Sequence, residues 1–117
     1  MINVRRIYDP VNEKDGARIL VDRLWPRGVS KEKAKLDLWL KEIAPSTGLR
    51  KWFDHDPSKW QTFKEKYLTE LKSNKEAIIK LKKVAEENQN VTILYAAKDR
   101  EHNEALIVKN FLENQDK

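Results

Sequence analysis

The apolar positions change rhythm several times along the chain. Ile2 to Ile7 is a short β-branched segment, read as a first strand. Asp9-Pro10 closes it, because proline constrains the residue before it and lacks an N–H. The polar run Asn12 to Gly16 is a loop. Ala17 to Leu24 follows as a second strand. Its continuous apolar centre, Ile19-Leu20-Val21, predicts burial on both faces. Trp25-Pro26-Arg27-Gly28 is a turn, and Ser30 caps a short helix over Lys31 to Ala34. Leu36, Leu38 and Leu40 then alternate with Asp37, Trp39 and Lys41, which favours a strand. The rival is a helix with Leu36, Leu40 and Ile43 on one face.

Pro45-Ser46-Thr47-Gly48 breaks the chain, and Leu49 to Phe53 is a single helical turn. From there the period is helical. Asp56-Pro57 reads as N-cap and first helical residue, where a missing N–H costs nothing. Trp60, Phe63, Tyr67, Leu68 and Leu71 share one face of the helix that follows. Ser73 and Glu76 have the spacing of a capping box. The next helix aligns Ala77, Ile78, Leu81, Val84 and Ala85. Asn88 and Asn90 bound a turn, Val91 to Ala96 is the last strand, and Lys98-Asp99-Arg100 is its exit loop. A final helix over Glu101 to Leu112 places Ala105, Val108, Lys109 and Leu112 on one side. Residues 112–117 are expected to fray.

Strands separated by helices predict an α/β fold. It is expected to be a small layered domain spanning 1–117, with a mostly parallel sheet of about four strands flanked by helices. In such sheets, ligands sit beyond the carboxyl ends of the strands.

Composition narrows the chemistry. The chain has no cysteine, which excludes disulfides, thiolate catalysis and Cys-ligated metals and agrees with a cytoplasmic location. No apolar run is long enough to cross a bilayer, so no membrane partner is expected. The formal charge is +5, with both signs spread along the chain, so an anionic small molecule or nucleic acid is favoured as partner. Six of the seven arginines fall in the first 50 residues, whereas the helical half uses lysine. Arginine's flat bidentate head suits carboxylate or phosphate pairing. Structural ion pairs with Asp9, Asp15 and Asp22 are the competing use. No HxH or HExxH spacing supports a metal site, and no Walker, Rossmann or serine-nucleophile motif is present.

Three polar clusters stand out. The first is Asp22 to Gly28. Here Arg23 and Arg27 can grip an anion, Trp25 offers a flat ring, and Asp22 can transfer a proton. The second is Arg50 to Asp56, where His55 lies between two acids and Arg50 adds a cation. The third runs from Tyr95 to Asn103. It has Lys98 as a cation, Asp99 as cap or base, and His102 and Asn103 within reach of the same space. The catalytic candidates are therefore Asp22, His55 and Asp99. The ligand-binding candidates are Arg23, Trp25, Arg27, Arg50, Lys98, His102 and Asn103. In each cluster the plainer alternative is a cap, a turn or an internal ion pair.

The three motifs, in this order, resemble the YeaO-like proteins of a broad domain-of-unknown-function family. The resemblance rests on Val21 to Gly28, on Ala44 to Thr47 with Leu49 to Phe53 and His55-Asp56-Pro57, and on Leu94 to Asp99 with His102-Asn103. It spans nearly the whole chain and implies a compact bacterial or archaeal α/β domain without an established activity or cofactor. More distant members often carry Cys and Glu in the last-strand motif, where this chain reads Tyr95-Ala96-Ala97-Lys98. A thiol-dependent role is therefore not implied here.

Together these readings point to a protein that binds or acts on an anionic, phosphate-bearing small molecule at the carboxyl edge of its sheet. The alternatives are a nucleic-acid-binding accessory domain and a non-catalytic structural or partner-binding domain.

Overall fold

The computed structural model describes residues 1–114. Among them, β1 (Ile2–Arg6), β2 (Ala17–Leu20), β3 (Leu38–Trp39) and β4 (Val91–Tyr95) form one sheet in the order β1-β4-β2-β3. Every pairing is parallel, with Val91 opposite both Ile2 and Ala17, and Ile19 opposite Leu38. The α/β expectation holds. The helices are α1 (Lys31–Ala34), α2 (Thr47–Phe53), α3 (Trp60–Ser73), α4 (Lys75–Glu87) and α5 (Glu104–Asn114).

Side-chain alternation explains the two covered faces. Ala17, Ile19 and Val21 join Val91, Ile93 and Tyr95 in the main core, against residues of α2 to α5. Leu20 and Leu94 point the other way, into a smaller core with Ile7 and Ala34, closed by Trp25, Val29, Leu36 and Trp39. Both central strands are therefore buried at every position, the polar Arg18 and Thr92 included.

Several boundaries differ from expectation, each for a local reason. β2 ends at Leu20, not Leu24. Val21 still donates its N–H to the Leu94 carbonyl, but the next acceptor for β4 is the Asp22 carboxylate, which takes the Ala96 N–H at 2.8 Å. The Leu36 to Leu40 segment is extended rather than helical, with Leu38–Trp39 as its two strand residues. Asp37 and Leu40 donate to the carbonyls of Arg18 and Leu20, and a 3-10 turn over Lys41–Ile43 then buries Ile43. α2 starts at Thr47, because the Ser46 hydroxyl accepts the Leu49 N–H and caps it. Asp56 does cap, accepting the Ser58 N–H ahead of a 3-10 turn over Pro57–Lys59. The Ser73–Glu76 box does not form. Ser73 is the last residue of α3, and its hydroxyl donates back to the Thr69 carbonyl. α5 begins at Glu104 rather than Glu101 and continues to Asn114 with Leu112 buried. Fraying therefore does not begin at Leu112, and residues 115–117 lie outside the described residues.

No helix among the described residues is long and apolar enough to cross a membrane.

Candidate functional site

β2 and β4 are neighbours, yet their connections leave in opposite directions. β2 leads outward to β3, whereas β4 leads into α5, which packs on β1 and β4. That divergence opens a crevice beyond their carboxyl ends. A cavity of about 350 Å³ occupies it.

All three polar clusters reach this cavity. From the end of β2 come Asp22, Arg23, Leu24, Trp25, Pro26 and Arg27. Arg50, Phe53 and His55 come from α2 and its exit, and His102, Asn103 and Glu104 from the start of α5. Lys98 and Asp99 do not line it. Asp99 acts one step back: its carboxylate accepts the N–H groups of Glu101 and His102 and holds His102 Nδ1 at 2.9 Å. The Glu101 N–H, followed by the His102 ring, holds the Asp99 carboxyl below its ordinary value. His102 also meets the Trp60 ring edge-on, with centroids 5.4 Å apart. Asn103 is buried as a structural clip, donating to the Asp99 carbonyl and accepting the Leu106 N–H at the start of α5.

Trp25 is partly architecture. Its indole N–H donates to the Val29 carbonyl at 2.7 Å, and its ring meets Trp39 edge to face at 5.3 Å. Trp39 in turn donates to the Asp22 carbonyl, pinning the β2 exit. Gly28 adopts φ +74°, the left-handed conformation that lets the Arg27–Gly28 turn fold back. His55 follows Asp54 in the same region, with φ values of 55° and 46°, so a tight left-handed pair of residues presents the imidazole to the cavity.

The arginines sort into two sets. Arg18 is buried and pairs with Asp15 at 2.6 Å, and Arg5 takes the other Asp15 oxygen at 3.0 Å. Arg100 makes a two-point pair with Asp9. Arg6 donates to the carbonyls of Ala96 and Ala97 and fixes the exit of β4. These four are structural. The other three, Arg23, Arg27 and Arg50, all line the cavity. Arg23 donates to the carbonyls of Ala44 and Pro45, while its buried Nε has no partner. Among the described residues, no salt bridge or hydrogen bond engages the guanidinium of Arg27 or Arg50.

Glu104, Tyr8, Phe53 and Phe63 also line the cavity and were not among the sequence-derived candidates. Tyr8 follows β1 at its carboxyl end, the position the sheet rule marks, and its hydroxyl donates to the Arg27 carbonyl. Glu104 lay hidden as an ordinary acid in a helix first turn. Burial, followed by its hydrogen bond to Asp22 and the charge of that carboxylate, pushes its carboxyl well above the usual range. Among the described residues, no group of three or more His, Asp and Glu is placed to hold a metal ion.

Residues 1–117 match the family described as "Inactive DUF488-N3 subclade". The chain belongs to this family. It is similar to the uncharacterized protein YeaO of Escherichia coli K12, with 46% identity over 111 residues, covering 95% of this chain and 96% of that one. It is also similar to the uncharacterized protein Rv3073c of Mycobacterium tuberculosis H37Rv, with 40% identity over 70 residues, covering 60% and 59%. No solved structure gives a significant match. The YeaO-like resemblance read from the motifs is thus correct.

Proposed function

We propose that this DUF488-N3 protein is a cytoplasmic receptor for an anionic, phosphate-bearing small molecule, held in the crevice beyond β2 and β4. The observation that carries the reading is the convergence of Arg23, Arg27 and Arg50 on one cavity that Asp22 and Glu104 also line. The two carboxyl groups are thus outnumbered by three guanidinium groups. Two of those groups have their donors free for a ligand, and the Arg23 Nε is an orphaned buried donor. Apolar walls from Leu24, Pro26, Phe53 and Phe63 suit the non-ionic part of such a molecule. Binding rather than turnover fits the family's description as inactive.

The nucleic-acid alternative rests on the net charge, the arginine cluster and exposed rings at Trp25 and Trp52. Trp25 is tied into the smaller core, whereas Trp52 is exposed with Lys59 and Lys66 over its ring.

The test is calorimetric titration with inorganic phosphate and phenyl phosphate. Each charge-assisted contact contributes about 1.5–3 kcal/mol. Arg27→Ala and Arg50→Ala should therefore each weaken binding by about tenfold or more, while Lys98→Ala, outside the cavity, should leave it unchanged. Equal losses in all three variants would point to diffuse charge attraction and overturn the assignment. Salt-dependent binding of single-stranded DNA, with no response to either phosphate, would favour the nucleic-acid reading.

A further inference from the structure

β1 is an edge strand, and among the described residues it pairs with β4 alone. In that ladder the Met1 carbonyl accepts the Val91 N–H, and the Ile7 N–H donates to the Tyr95 carbonyl. The parallel register therefore turns the N–H and C=O of Asn3 and Arg5 towards β4, and those of Ile2, Val4 and Arg6 outward. The carboxyl end of this edge is closed. The Asp9 carboxylate accepts the Arg6 N–H at 3.1 Å, and the Asp9 N–H donates to the Arg6 carbonyl at 3.0 Å. Ile2 and Val4 have no such partner among the described residues, so their N–H and C=O groups face outward open.

A groove of about 450 Å³ lies along this open stretch, with Asn3, Val4 and Arg5 as its floor. Alternation sends Val4 towards the main core and Arg5 to the opposite face, where it meets Asp15. Each face also supplies a wall. Leu106 and Lys109 of α5 form the first, and Asn12, Lys14 and Asp15 at the 3-10 turn over Glu13–Asp15 form the second. The groove is basic. Asp15 is already taken up by Arg5 and Arg18, whereas no ion pair among the described residues holds Lys14 or Lys109. None of these residues lines the cavity beyond β2 and β4, so the groove is independent of the anion-binding reading.

We propose that this groove is a docking site for an extended acidic segment of a partner protein, which adds to β1 as a fifth strand. The open groups of Ile2 and Val4 supply its main-chain hydrogen bonds. Successive side chains of an added strand point to opposite walls. Its acids therefore face Lys109 on one side and Lys14 on the other, and an apolar residue covers Leu106. A second copy of this chain fits poorly, because pairing β1 with β1 sets Arg5, Lys14 and Lys109 of both copies against each other. The closure at Arg6 keeps the pairing short, which suits a transient partner.

The probe is the peptide acetyl-Glu-Val-Glu-Glu-Val-Glu-amide, which presents acids and a valine to both walls in either register. Amide exchange followed by NMR should show Val4 exchanging faster than Asn3 and Arg5 in the free protein, and the peptide should slow Val4. Affinity from the same titration should fall by about tenfold or more in Lys14→Glu/Lys109→Glu, whose circular dichroism should match wild type. The peptide N-methylated throughout, which has no N–H donors, should not bind, nor should a version with Lys in place of Glu. A slow Val4 amide in the free protein overturns the proposal, because the edge is then already covered. Concentration-dependent dimerisation in the ultracentrifuge would make a second copy the cover. Binding that leaves Val4 exchange unchanged, or that survives N-methylation or the lysine exchange, is diffuse attraction and also overturns it. Absence of binding at millimolar acidic peptide does the same.

Discussion

The sharpest test of how the arginines divide is Asp15→Asn. Asp15 sits in a capping box at the Asn12 loop, with its side chain 4% exposed against an Arg18 side chain that is 5% exposed. Arg18 donates to it at 2.6 Å and to the Ala34 carbonyl at 3.1 Å, and its second terminal nitrogen already lacks a partner. Asparagine keeps the shape but removes the charge, leaving a buried guanidinium uncompensated. Removing one partner of a buried pair costs about 3–5 kcal/mol. The outer Arg5 contact is partly solvated and adds little. A loss of about 3 kcal/mol is therefore expected, seen as a fall in melting temperature of roughly 12 °C for a chain of this size.

Acid should shrink the difference between wild type and variant. Burial raises the Asp15 carboxyl, but the Asn12 N–H and the charges of Arg18 and Arg5 outweigh it and hold it below 3.8. The native state thus binds fewer protons than the unfolded chain. The contribution of Asp15 is fully present above that value and disappears as pH falls through the depressed native one. Urea unfolding near neutral pH and again in acid measures both quantities. The double variant Asp15→Leu/Arg18→Met should recover most of the loss, because an apolar pair avoids desolvating two charges. A single-variant loss under about 1 kcal/mol at neutral pH, the range of an exposed pair, would refute the claim that this arginine is structural.

Two further variants probe local geometry. At Gly16, with φ +66°, an added Cβ would come within 2.0 Å of the Asn90 carbonyl oxygen, so Gly16→Ala should cost more than about 2 kcal/mol in urea unfolding. Gly28→Ala meets no atom within 4 Å and should lose only the roughly 1–2 kcal/mol of left-handed strain. Trp25→Phe removes the indole donor to Val29 but keeps a ring against Trp39. It should lower stability by about 1 kcal/mol and leave phosphate binding intact in the same calorimetric assay.

Much of the fold was legible because local rules and burial agreed. The continuous apolar centre Ile19-Leu20-Val21 announced a strand covered on both faces, and Asp56-Pro57 announced a cap ahead of α3. Local rules failed where a side chain had two possible partners. Ser73 fits a capping box by spacing, but it ends α3 and bonds backwards to Thr69 instead. Ser46 looked like part of a break, yet it caps α2, and the Glu70 carboxylate fixes it there by accepting both its N–H and its hydroxyl.

The sequence by itself determined the class of fold and the three places where unusual chemistry gathers, because periodicity and residue type are local properties. The tertiary structure alone decided which charges remain available. Arg5 and Arg100 carry the same head group as Arg27 and Arg50, but the fold brings them to Asp15 and Asp9, the latter 91 residues away along the chain. Only the parallel order β1-β4-β2-β3 brings the β2 exit beside the start of α5, placing Glu104 in the same cavity as Asp22. That neighbourhood follows from the strand order, which spacing along the chain does not encode.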